Sequence, residues 1–85
     1  MQLSNINPAV IAQYGLALSA SGVVVETPGP YGQRVGLKPG DVLQNINGTD
    51  ITTTSDAERA LSERRSTLSM DVKRGLKRLR LRFRL

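Results

Sequence analysis

The side chains able to do chemistry in this 85-residue chain are few, and their types narrow the options at once. There is no His and no Cys. That removes the usual general base, the middle member of a Ser-His-Asp triad, a thiolate nucleophile and the commonest transition-metal ligands. The hydroxyl cluster Thr52 to Ser55 has no base to activate it, and ahead of a helix such residues act as caps. Asp41, Asp50, Asp56 and Asp71 are scattered among strands and turns and form no ligand cluster. Catalysis, a metal centre and a cofactor are therefore not expected, and Tyr14, Tyr31 and Phe83 are expected in the core or at its rim.

The charge pattern is more informative. Lys73, Arg74, Lys77, Arg78, Arg80, Arg82 and Arg84 crowd the end of a chain of net charge +5, with Asp71 the only nearby acid. The ladder Arg78, Arg80, Arg82 and Arg84 reads first as the solvated face of a strand, where charge deters edge-to-edge aggregation. As a functional patch it would meet nucleic acid, anionic lipid or an acidic protein surface. No nucleic-acid motif and no interleaved aromatics accompany it, so a docking surface for a neighbouring domain is the preferred functional version.

The elements that must position these residues follow from length and patterning. A chain of this size supports one core, so residues 1–85 are expected to form a single domain. With 39% hydrophobic and 22% charged residues it should fold rather than stay disordered. No apolar run approaches the roughly 18 to 20 residues of a membrane span, and Met1 to Tyr14 lacks the basic start and continuous apolar stretch of a signal peptide.

Met1 to Ile6 alternates enough for a short strand. Asn7-Pro8 then supplies a cap and a first helical residue, with Val10, Ile11, Tyr14 and Leu18 near helical spacing and Gly15 as the left-handed stop. Gly22 to Glu26 is a β-branched run expected to be a strand buried on both faces. The proline- and glycine-rich stretch after it reads as a connector, with one helical turn possible over Tyr31 to Val35. Lys38-Pro39-Gly40-Asp41 predicts a type II turn. Val42 to Ile46 predicts a strand, and Asn47-Gly48 a type I′ hairpin leading towards Ile51. Ser55-Asp56-Ala57-Glu58 fits a capping box for a helix running to about Arg64, with Ala57, Ala60 and Leu61 as its apolar stripe and Arg59, Glu63 and Arg64 pointing away. Leu68 to Arg74 and Leu79 to Leu85 alternate around a turn at Gly75, which is a hairpin with one buried face. The order predicts an α+β fold: a small, partly open antiparallel barrel or sandwich of five to six strands capped by two helices.

At Gly36-Leu37-Lys38-Pro39-Gly40-Asp41-Val42-Leu43, followed by Asn45-Ile46-Asn47-Gly48 and Ile51, the sequence resembles PDZ domains of the bacterial HtrA (Deg) serine protease type. The resemblance extends through Gly22-Val23-Val24-Val25, the capped helix with Ala60-Leu61, and Leu68 to Gly75. It implies a non-catalytic module that binds C-terminal or internal extended peptide segments by adding a strand to its sheet. The parent protein implied is a larger serine protease in the periplasm or cell envelope, whose protease domain or second PDZ copy would be a further partner. Carried over by position, the accepting strand is Met1, Gln2, Leu3, Ser4, Asn5 and Ile6. The facing helix runs from Thr54 to Arg64, with Thr54, Ala57, Glu58 and Leu61 towards the pocket and Leu3 in its floor. A Leu61 surface would favour a small or medium apolar ligand side chain, and Glu58 a basic one. In the family a carboxylate-binding loop precedes the accepting strand. Here the chain starts at Met1, so internal-segment binding is expected alongside C-terminal capture. The alternative within this resemblance is an assembly module joining subunits or domains.

Overall fold

The computed structural model describes residues 1–16, 21–63 and 66–84. In chain order the elements are β1 (Gln2–Asn5), α1 (Pro8–Tyr14), β2 (Val23–Thr27), α2 (Gly29–Arg34), β3 (Val42–Ile46), β4 (Thr49–Asp50), α3 (Thr54–Ser62), β5 (Thr67–Arg74) and β6 (Lys77–Arg84). Every strand pair is antiparallel. The six-stranded sheet runs β1-β2-β3-β5-β6, with β4 attached to β3. Its two ends do not pair with each other, so the partly open fold anticipated from the sequence is an open sheet with edges at β1 and β6.

Local chemistry accounts for most boundaries. The Asn7 side chain accepts from the Val10 N–H at 2.9 Å and Pro8 occupies the first turn of α1, which ends at Gly15 in the left-handed region with φ 64°. The turn before β3 is closed by the Asp41 N–H donating to the Lys38 carbonyl at 3.1 Å, and Gly40 supplies φ 88°, the type II pattern. Asn47 and Gly48 take φ 51° and 86°, as a type I′ hairpin requires. Val23, Val24 and Val25 are each 0% exposed, so β2 is buried on both faces.

Three local expectations are corrected. The connector after β2 holds a helix, α2, rather than at most one turn over Tyr31 to Val35, so three helices flank the sheet instead of two. Pro30 is accommodated because the first helical turn has no use for its missing N–H. The cap of α3 is Thr53 with Asp56, not Ser55 with Glu58. Thr53 is the extended residue (φ −133°, ψ 163°), so the box sits two residues earlier. That helix ends at Ser62, where Glu63 leaves helical geometry. Leu18, Arg64 and Leu85 lie outside the described residues.

The sheet separates two apolar clusters. The larger joins Val23, Val25, Leu43, Ile46, Leu68, Met70 and Val72 of the strands to Ala57 and Ala60 of α3, with Leu3, Leu61, Leu81 and Phe83 packed at its margin. The smaller packs Val10 of α1 on Val24 and Val42, with Ile6, Tyr14 and Leu16 around it. Within the sheet's frame lies a buried charge. Asp41, 1% exposed, accepts from Arg74 Nε at 2.8 Å and Nη2 at 2.7 Å and from the Lys38 N–H at 2.9 Å. Arg74 Nη2 also donates to the Gly36 carbonyl at 2.9 Å. The hydrogen bonds to Asp41 push the Arg74 guanidinium pKa above its ordinary value.

Two stability predictions follow from this packing. The Asp41 side chain is 1% exposed and that of Arg74 34%. Arg74→Met, which strands a buried carboxylate, is expected to cost about 3 kcal/mol, and Asp41→Asn less because the guanidinium can turn to water. Urea unfolding of both variants checks the order. At Gly22, φ 122°, an added Cβ would collide with the Leu43 carbonyl oxygen, whereas at Gly75, φ 63°, it would meet nothing within 4 Å. Gly22→Ala is expected to cost about 2 kcal/mol or more, against about 1 kcal/mol for Gly75→Ala.

Candidate functional site

Strand β1 pairs with β2 through Gln2↔Thr27, Leu3↔Val25, Ser4↔Val24 and Asn5↔Val23, with an irregularity between Gln2 and Leu3. Its other side meets no strand among the described residues. Such an edge leaves the N–H and C=O groups of alternate residues available to another chain. Helix α3 lies against the same strand. The Thr54 N–H donates to Asn5 Oδ1 at 2.9 Å, which satisfies a first-turn N–H that has no intrahelical acceptor and pins strand to helix at that end.

The ten sequence-predicted residues divide by face. Leu3 and Leu61 are half-buried against the larger core, and Ala57, 0% exposed, sits within it. Asn5 joins them through its bond to Thr54. Thr54, Glu58 and Leu61 are spaced at i, i+4 and i+7 on α3, with Thr54 and Leu61 half-buried and Glu58 exposed. Ser4 and Ile6 turn the other way: the Ser4 hydroxyl donates to Glu26 of β2, and Ile6 packs on the cluster beneath α1. Gln2 meets Thr27 through its amide oxygen at 3.4 Å. Met1 is exposed and its terminal methyl lies over Gly32 of α2. These four therefore reach the site through backbone position, not through side chains directed at α3. The role of Asn5 as an external cap was invisible in the sequence, because its partner lies 49 positions away.

The start of α3 is held by reciprocal bonds. Asp56 Oδ2 accepts from Thr52 Oγ1 at 2.7 Å, the Thr52 N–H at 3.1 Å and the Thr53 N–H at 3.2 Å, while the Asp56 N–H donates to Thr53 Oγ1 at 3.2 Å. The Thr52 hydroxyl foremost, then the backbone donors, hold the Asp56 carboxyl below the usual carboxylate range. Every fully buried side-chain nitrogen and oxygen among the described residues has a partner. Among those residues no group of three or more Asp and Glu side chains is placed to hold a metal.

Concavities of about 510, 160 and 540 Å³ open on the outer sheet face around Asp71 and Arg80, between Tyr14 and Leu76, and beside Pro28 and Leu37. None of the three is lined by β1 or α3. The β1–α3 site is an apolar seam bordered by Leu3 and Leu61 beside an open strand edge, a geometry suited to an extended segment.

Comparison with known proteins bears on this geometry. The family model of the PDZ domain matches residues 22–74. Serine protease HTRA4 of Homo sapiens is 47% identical over 58 residues, which cover 66% of this chain and 12% of that protein. Serine protease HTRA2, mitochondrial, of Drosophila persimilis is 37% identical over 61 residues, 72% of this chain and 14% of that protein. The chain therefore matches only about an eighth of the length of these proteases. The crystal structure of the HtrA3 PDZ domain bound to a phage-derived ligand, FGRWV, superposes with a TM-score of 0.76 at 26% identity, covering 99% of this chain and 79% of the other. That likeness takes in β1, which lies outside the stretch matched by the family model.

The Asp56 network makes a pH prediction. Because its folded pKa is lowered, Asp56 stabilises the fold above its unfolded value of about 3.9, and that contribution is lost as pH falls through the folded value. The Asp56 carboxyl carbon should therefore titrate below that unfolded value in a ¹³C NMR titration. Thr52→Val, which removes the largest cause, should move the midpoint up.

Proposed function

This chain belongs to the PDZ domain family, with homology to HtrA serine proteases, and on that premise we propose that it captures an extended peptide segment at the open edge of β1, alongside α3. The domain is non-catalytic. The observation that carries the reading is the unpaired edge of β1 with a helix docked beside it. A visiting strand would bond to the backbone groups that point away from β2, on alternate residues of the run Met1 to Ile6, whatever its own sequence. Discrimination would come from α3, where Leu61, with Leu3 and Ala57 behind it, offers an apolar surface for one ligand side chain. Thr54 and the exposed Glu58 would line the outer wall, Glu58 favouring a basic neighbour.

The reading also takes residues 1–85 as one domain, since the structural likeness covers 99% of the chain. It includes a parent serine protease to which this domain delivers or signals bound segments, by C-terminal or internal capture. A periplasmic or cell-envelope location belongs to the same proposal. The relatives matched are animal proteins, one group of them named mitochondrial, and they lend no support to a bacterial origin.

Leu61→Lys is expected to weaken binding of apolar-ended peptides at least about tenfold, while Arg82→Ala leaves it within about twofold. Fluorescence polarisation with a peptide library measures both, and circular dichroism verifies that each variant folds. Equal losses, or chemical shifts confined to the β5–β6 hairpin, would transfer the function to an assembly surface instead.

A further inference from the structure

The opposite edge of the sheet carries a second, differently built surface. Strand β6 pairs in register with β5 over its whole length, from Arg74↔Lys77 to Thr67↔Arg84, and its other side meets no strand among the described residues. It contains no Pro and no bulge, so every second residue directs an N–H and a C=O away from β5, where no strand among the described residues meets them. Its two faces are sharply distinct. Arg78, Arg80, Arg82 and Arg84 are exposed on the outer one, at a spacing of about 6.8 Å. Leu79, Leu81 and Phe83 lie on the inner one and are half-buried, Leu81 and Phe83 at the margin of the larger core and Leu81 beside Gly36.

The outer face is short of acid. Arg80 Nε donates to Asp71 Oδ1 at 3.0 Å, whereas Arg78 stands opposite Lys73, Arg82 opposite Ser69 and Arg84 opposite Thr67. Arg78, Arg82 and Arg84 form no ion pair among the described residues. A second copy of β6 would bring arginine against arginine, which is unfavourable across a strand pair. A strand alternating acidic and apolar residues would meet every requirement at once: backbone bonds, carboxylates against the ladder, and apolar side chains over Leu79, Leu81 and Phe83. We propose that the β6 edge is a second docking site, taking an extended protein segment in which Asp or Glu alternates with apolar residues.

Nucleic acid or an anionic membrane could use the arginines alone. Neither would pair with the strand edge or cover the apolar row, and the arginine face has no aromatic side chain for base stacking. The site is independent of the β1 edge, so either reading can fail without the other.

The test uses the whole ¹⁵N-labelled chain and four probes besides the main one. The main probe is acetyl-Glu-Val-Glu-Leu-Glu-Val-Glu-amide. The others are a peptide of identical composition in block order, its lysine-for-glutamate counterpart, single-stranded oligothymidylate, and phosphatidylglycerol vesicles. The alternating acidic peptide should shift and protect amides from Lys77 to Arg84 and bind at least about tenfold more tightly than the block and lysine peptides. Combined Arg82→Glu and Arg84→Glu should weaken it at least about tenfold, while Leu61→Lys should not. The peptide comparison needs no variant, so the test stands even if the double substitution fails to fold. Equal binding of the block peptide, shifts confined to β1 and α3, or binding of oligothymidylate or vesicles without a response to the peptide would each overturn the proposal.

Discussion

The ion pair between the buried Asp41 and the half-buried Arg74 indexes the whole sheet. Its two residues are 33 positions apart, one ending the turn before β3 and the other ending β5. With Asp41 held by two guanidinium donors and the Lys38 N–H, the turn is tied to the end of β5, and Val42 is set against Lys73. The same turn fixes β2, because the Val25 N–H donates to the Asp41 carbonyl and the Gly40 N–H to the Val25 carbonyl, both at 2.8 Å. Strand β2 sets β1, and β5 sets β6. Both open edges thus inherit their register from one charge pair. In a β-sheet, where a one-residue slip exchanges the two faces, that is a strong constraint on which side chains each edge presents.

The two edges solve the same physical problem differently. An unpaired strand is a hazard because any extended backbone can bond to it. β1 is short and flanked by α3, so a visitor must satisfy both a strand and a helix wall. β6 is eight residues long and has no such wall among the described residues, and its protection is a single sign of charge. Steric restriction at one edge and electrostatic restriction at the other would select different partners, so the outward arginines and the half-buried Leu79, Leu81 and Phe83 have to be read together.

Short-range chemistry was legible in the sequence. The Pro39-Gly40 and Asn47-Gly48 turns, the Asn7 cap, the buried β2 run and the β5–β6 alternation each depend on residues within a few positions of one another, and all are present as expected. What depended on choosing between equivalent neighbours was less legible. Thr52 to Ser55 offers several residues that can cap, and only the backbone turning at Thr53 decides which does. α2 was hidden by its own prolines and glycines, which argue against a helix interior yet are tolerated at its first turn. Contacts across the fold were not legible at all: nothing near Asp41 points to Arg74, and nothing near Asn5 points to Thr54. The candidate strand and helix were identified through a family resemblance. Which of their side chains face one another is decided by the parity of β1, with Leu3 and Asn5 towards α3 and Ser4 and Ile6 away.

That parity also bears on how selective the proposed capture can be. Ordering a flexible segment costs roughly 1–2 kcal/mol per residue in backbone freedom, and each hydrogen bond to the strand returns about 1 kcal/mol net. Over a strand of four residues the ordering cost, about 4–8 kcal/mol, equals or exceeds the ~4 kcal/mol that four such bonds return. Net affinity then rests on the few side chains that cover the remaining apolar surface of Leu3 and Leu61, at about 25 cal/mol per Å² removed from water. Ala57 contributes by being small: fully buried, it lets α3 sit close enough to the sheet for Leu61 to border the edge. A site of this kind would bind weakly by itself and would gain strength mainly where domain and ligand are held near each other.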